Sequence, residues 1–299
     1  MLKSARRRLL ALLLGAWALT VHPAIYSYAT EHSGQSTHQA TLKAAAVATP
    51  DIPYMEYEFQ VEQDLLQLAN QSRQRAGAPS LTLDMGLTAA ARTHAQAMLE
   101  AHQLSHQFSG EPTLILRLAA TSSLQLDQAA ENVALDYSAQ GGHEHLMLSP
   151  PHRANLLNPA YNVVGLGVVR SGDRLYIVQD FAHALPRYAA DEVKGRVASA
   201  VNQMRRQATR PALSRRDLQN ADEAACSMAQ ADKLGTAPVR QLTQRFTVLT
   251  YTSLHPETLP AQAYHAIRSP NLRSFSIGAC YARTVSYPTG VYWLILSLD

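Results

Sequence analysis

With 299 residues, 46% of them hydrophobic and 16% charged, the chain can build two domains of ordinary size, each with its own core. Its formal charge of +3 resides in Lys3, Arg6, Arg7 and Arg8; beyond them acids and bases nearly balance, so the basic pI is no argument for a nucleic-acid partner. Cys226 and Cys280 are the only cysteines, which allows one disulfide at most.

The four N-terminal cations precede the apolar run "LLALLLGAWAL" (Leu9 to Leu19), too short to span a bilayer with conventional flanks. A charged region, an apolar region and the small residues around Ser27 and Ala29 predict a secretory signal peptide over 1–29. The expected location is therefore the periplasm or the extracellular space. Residues 30–53, rich in Ala, Thr, Ser and His, show no period and read as a linker. No later segment is apolar enough to cross a membrane.

From Tyr54 the pattern is helical until Gly77 and Pro79 stop it. Asp84 is placed to cap a second helix, in which Leu87, Ala91, Ala95 and Met98 form an apolar stripe. His94 and His102 share that face and read as core or boundary residues. "VVGLGVV" and "RLYIVQDFA" flank Arg170 to Asp173 and predict a hairpin. Helices followed by antiparallel strands make residues 54–186 an α+β domain.

The remainder, 187–299, repeats parts of the first half. Residues 70–81, "NQSRQRAGAPSL", align with 202–213, "NQMRRQATRPAL", at six of twelve positions. "HLMLSPPHR" (145–153) aligns with "HAIRSPNLR" (265–273), and "VVGLGVV" and "LYIVQDF" have shorter echoes near the C-terminus. An ordered series of this kind predicts an internal duplication. Residues 30–186 carry 8 cations and 15 anions, and residues 187–299 carry 14 and 8, so the halves are expected to dock. In an oxidising compartment Cys226 and Cys280 could pair; two buried thiols are the other reading.

In order along the first half stand "ANQSRQRAGAPSL", "LTAAARTHAQAML", "LSH" (104–106), "AENVA" (130–134), "MLSPPHRANLLNPAY" (147–161), "VVGLGVV" and "YIVQDFA". The series resembles the SCP-like CAP superfamily of cysteine-rich secretory, venom antigen and pathogenesis-related proteins, in its bacterial branch. The resemblance implies a three-layer α-β-α sandwich with an antiparallel central sheet, and a degenerate second copy in 187–299. There Cys226 and Cys280 would lie on the second helix and a central strand, close enough to pair.

The resemblance also implies a cleft lined by two histidines and glutamates: His106 of "LSH", Glu131 of "AENVA" and His152 of "SPPHR". The family's second glutamate has no clear match; Glu144 in "GGHEHLML" is the nearest, with His143 or His145 as the side chain that would point into the cleft instead. Two imidazoles and a carboxylate could bind zinc, run acid–base chemistry or form an idle polar network. Their spacing matches no compact metal motif, and no serine or cysteine is marked as a nucleophile. A binding module for a metal ion, a lipid-like ligand or an envelope protein is therefore expected, with turnover not expected. A metal-dependent hydrolase of peptide or cell-wall material and a purely structural interaction module are the alternatives. In the second copy Leu272 would replace His152.

Overall fold

The computed structural model describes residues 57–299; the expected signal peptide and linker lie outside them. Helix α1 (Phe59–Ala76) ends where Gly77 turns left-handed at φ 74° and its amide closes on the carbonyls of Arg73 and Gln74, a conformation glycine adopts without a Cβ penalty. Strand β1 (Thr82–Leu83) follows. Asp84 then accepts from the Leu87 amide and starts α2 (Met85–Ala101), as its place before the apolar stripe predicts. The first half continues with α3 (Leu114–Thr121), β2 (Gln125–Asp136), α4 (Ala139–Leu148), α5 (Pro150–Leu157), β3 (Val163–Ser171) and β4 (Arg174–Leu185). Strands β3 and β4 form the predicted hairpin, with Gly172 at φ 60° in its turn.

The strands lie in the order β1-β3-β4-β2, antiparallel except for the short parallel pair β1 and β3. Side-chain alternation supplies two buried faces. On one, Leu166, Val168 and Ile177 pack with Leu65 and Ala69 of α1, Leu146 of α4 and Leu156 of α5. On the other, Val133 and Val178 pack with Ala91, Ala95 and Met98 of α2, and Ala182 packs with Leu118 of α3. This is the expected α-β-α sandwich, and β2 is its edge strand. The glycines of "VVGLGVV" have a packing reason: a Cβ on Gly167 would lie 2.2 Å from the Ala91 carbonyl carbon, so α2 rests directly on β3.

The second half contains α6 (Ala190–Gln207), β5 (Ser214–Arg215), α7 (Ala221–Gln230), α8 (Ala237–Leu242), β6 (Thr247–Ser253), α9 (Ala263–Arg268), β7 (Ser274–Ala282) and β8 (Val291–Leu298). Its sheet has the order β5-β7-β8-β6 with the same pattern of strand directions. Gly278 stands where Gly167 does, a Cβ there falling 2.1 Å from Ala221 O. Cys226 on α7 and Cys280 on β7 form a disulfide.

The repeated Asn, Arg, Pro and Leu have the same work in both halves. Asn70 exchanges two hydrogen bonds with the backbone of Leu81, and Asn202 with that of Leu213. The buried Arg73 donates to the carbonyls of Pro79, Leu156, Asn158 and Tyr161, at 2.6 to 2.9 Å. Arg205 donates to Pro211, Ile267 and Ser269, at 2.7 to 2.9 Å. Each arginine ties its helix to the end of a later one, α5 or α9.

This geometry corrects the register expected for "SPPHR". Ser149 precedes α5, whereas Ser269 follows α9. Since Arg73 binds Leu156 and Asn158 where Arg205 binds Ile267 and Ser269, the place of His152 falls to the buried Ala263, not to Leu272.

The two halves meet at the start of β2 and the end of α3. Arg283 donates to Ser122 O at 3.0 Å and also to Ala119 O, while Thr289 Oγ1 donates to Leu126 O at 3.0 Å. Among the described residues no Lys or Arg of one half pairs with an acid of the other. Across the halves His255 Nε2 also stands 3.8 Å from Asp127 Oδ2, and the hydrogen bonds named above are accepted by carbonyls.

Candidate functional site

Strand β2 presents alternate residues to the two helical layers. Glu131 shares its face with Val133 and Leu135, towards α2 and α3; Asn132 shares its face with Ala130 and Ala134, towards α4 and α5. The site is built around this free edge.

His106 lies in the loop between α2 and α3, its side chain 59% exposed, with Nδ1 2.9 Å from Glu131 Oε1. Glu131 is buried, and its second oxygen takes a charge-assisted bond from Arg117 of α3. Arg117 also donates to His106 O at 3.2 Å and stands 3.4 Å from Glu111. Glu111 meets Nδ1 of the fully buried His94 at 2.7 Å, and the other ring nitrogen of His94 faces Ser105 O at 2.8 Å. Opposite Glu131 on β4, Asp180 is completely buried, and neither of its oxygens has a partner among the described residues. Burial first, then the charge of Glu131, push its pKa well above the usual carboxylate range, with Arg117 pulling the other way.

His152 approaches from the other layer. Pro150 and Pro151 occupy the first turn of α5, where missing amides cost nothing. The His152 ring lies 6.4 Å from that of His106, centroid to centroid. Partial burial and the neighbouring His106 lower its pKa. Its carbonyl accepts from Asn132 Nδ2 at 3.0 Å, and Asn155 donates to Asn132 Oδ1 at 3.0 Å, so Asn155 braces the turn.

The structure thus brings His106, Glu131 and His152 together. Glu144 and His145 point elsewhere: Gln140 donates to Glu144 at 2.5 Å, and His145 Nδ1 stands 2.5 Å from Asp136. Their neighbour His143 is buried against Ser72 Oγ at 2.8 Å. Sequence reasoning missed Arg117, Glu111 and the polar role of His94. Arg117 carried one signal, being the lone cation in the apolar helix "LILRLAAT".

These residues do not form a ready metal site. Among the described residues no group of three or more His, Cys, Asp and Glu side chains is arranged to hold a metal ion. Glu131 has both oxygens engaged, which makes it an orienting partner of His106 and not a free ligand.

Residues 66–181 match the family model described as CAP, the cysteine-rich secretory protein family. The chain is 31% identical over 117 residues to the uncharacterized protein YkwD of Bacillus subtilis (strain 168), covering 37% of this chain and 43% of that one. It is 30% identical over 135 residues to the uncharacterized membrane protein YlbC of the same organism, covering 45% and 38%. The chain therefore spans about two fifths of the length of these curated relatives. A solved extracellular protein containing an SCP domain, from Bacillus anthracis str. Ames, is 28% identical over 42% of this chain and 41% of that one, with a TM-score of 0.38.

Proposed function

From a chain whose residues 66–181 form a CAP domain, we propose an exported binding module that works without turnover and takes its ligand at the imidazole pair His106 and His152. The carrying observation is that these rings lie 6.4 Å apart, centroid to centroid and tilted by 41°, with Nδ1 of His106 bonded to Glu131. That bond leaves Nε2 of His106 as the ligand-facing nitrogen, the arrangement of a metal-binding histidine oriented by a carboxylate. Zinc is the ion the pair would take, and a partner molecule would complete its coordination.

The other polar groups support binding over hydrolysis. Glu131, Arg117, Glu111 and His94 engage one another, and the hydrogen bond between a serine and a histidine side chain found among the described residues joins Ser72 to the distant His143. The second half serves this module as a degenerate CAP-like copy. Its shared strand order and Asn and Arg ties support that reading. In sheet register Val248 and Ser297 occupy the places of Glu131 and Asp180, so the scaffold recurs without the cleft.

Native mass spectrometry of the exported protein with added zinc tests the proposal. One chelator-sensitive ion is expected, lost in both His106→Ala and His152→Ala while folding survives. Zinc binding that ignores both substitutions, or zinc-dependent cleavage of peptide or cell-wall fragments abolished by them, would replace the binding module with another reading.

A further inference from the structure

The second half reaches the candidate site through one side chain. Arg283, in the connection between β7 and β8, is steadied by its Nε donating to Pro288 O at 2.6 Å. Its two Nη groups leave the second half and donate to Ser122 O and Ala119 O, carbonyls at the C-terminal end of α3. Those carbonyls lack intrahelical donors, and a cation there also complements the helix dipole. The same end of α3 also presses on α2: a Cβ on Gly86 would fall 2.6 Å from Ser122 Cα and 2.7 Å from Thr121 O. The end of α3 is therefore held both by α2 and by a guanidinium from the other half.

What α3 carries gives this hold a consequence. Arg117, two residues before Ala119, bonds Glu131 and donates to His106 O, so it grips both the carboxylate and the loop that hold the exposed imidazole. We propose that Arg283 is a positioning residue for the His106–Glu131 pair, and that the second half exists in part to clamp the cleft of the first. The proposal rests on the reading of His106 and His152 as the binding pair. It makes the site a property of the whole chain: loosening the clamp frees the last turn of α3, Arg117 leaves its alignment, and the imidazole loses its fixed direction.

The test compares the exported protein, labelled with nitrogen-15, with Arg283→Met, Arg283→Lys and Thr289→Val. Thr289→Val removes a different hydrogen bond between the halves without touching α3. In Arg283→Met the resonances of Arg117 Nε–H, Glu131 and His106 are expected to move, and amide exchange in the last turn of α3 to accelerate. Zinc affinity should weaken about 2- to 30-fold, the range for residues that couple to a site without touching the ligand. Arg283→Lys, which keeps the charge and part of the donor capacity, should restore part of each change, and Thr289→Val should leave all three resonances in place. If Arg283→Met does not fold, Arg283→Lys against Thr289→Val carries the comparison. Exchange altered in α3 with Arg117, Glu131 and His106 unmoved would overturn the proposal, as would equal shifts in Thr289→Val. A wild-type protein that takes no zinc while the resonances respond as described would sink the metal reading and leave the clamp standing.

Discussion

Glu131 receives His106 on one oxygen and Arg117 on the other. The motifs around Glu131, His106 and His152 made those three legible in the sequence. Arg117, Glu111 and His94 were not, because they lie on α2, α3 and the loop between, and only folding places them around one carboxylate. Burial also singles out His143, whose Nδ1 has no partner among the described residues and whose pKa is lowered, chiefly by desolvation. The unfolded chain binds that proton near the ordinary value of 6.5, while the folded chain resists it. Unfolding therefore takes up a proton below this pH, and stability should fall as pH drops from 7 towards 5. Replacing His143 with Gln keeps a hydrogen-bonding group for Ser72 and removes the titration. Thermal melts of His143→Gln should lose less on acidification than wild type; equal losses would place the acid sensitivity in other groups.

At the scale of elements, the repeat of Asn, Arg, Pro and Leu was visible in the sequence, and its reason was not. Arg73 and Arg205 lie 0% and 1% exposed, each satisfying carbonyls far along the chain. Replacing Arg73 with Met would strand four carbonyls, two of them bonded in fully buried surroundings, at a cost of about 3–5 kcal/mol by analogy with breaking a buried charged network. Arg73→Lys, with fewer donors and no planar fork, should recover a fraction of that loss. Denaturant unfolding of both variants would measure it, and a loss below about 1 kcal/mol for Arg73→Met would show that water satisfies those carbonyls instead. The short match of "SPPHR" to "SPNLR" failed for a related reason. A few shared letters do not determine whether a serine starts a helix or follows one; the arginine-to-carbonyl ties do.

For the whole molecule, composition placed opposite charges in the two halves, and the structure joins them through a guanidinium and a hydroxyl donating to carbonyls and through His255 beside Asp127. The only cysteines staple α7 to β7 across a separation of 54 residues. A loop of that length restrains the unfolded chain by about 4 kcal/mol in the chain-entropy treatment, and measured effects run about 2–4 kcal/mol. The Cys226→Ala, Cys280→Ala double variant should lose stability in that range by denaturant unfolding. The sequence by itself determined the α+β class and the repeated arginine and asparagine, written in local periodicity and spacing. Its resemblance to the CAP family implied the sandwich and pointed to His106, Glu131 and His152, which the structure brings together. Tertiary structure alone decided which polar groups surround Glu131, which serine matches which helix, and that Arg283 reaches α3. Those relations join residues up to 164 positions apart, and contacts at such range exist only once two packed halves bring their backbones together.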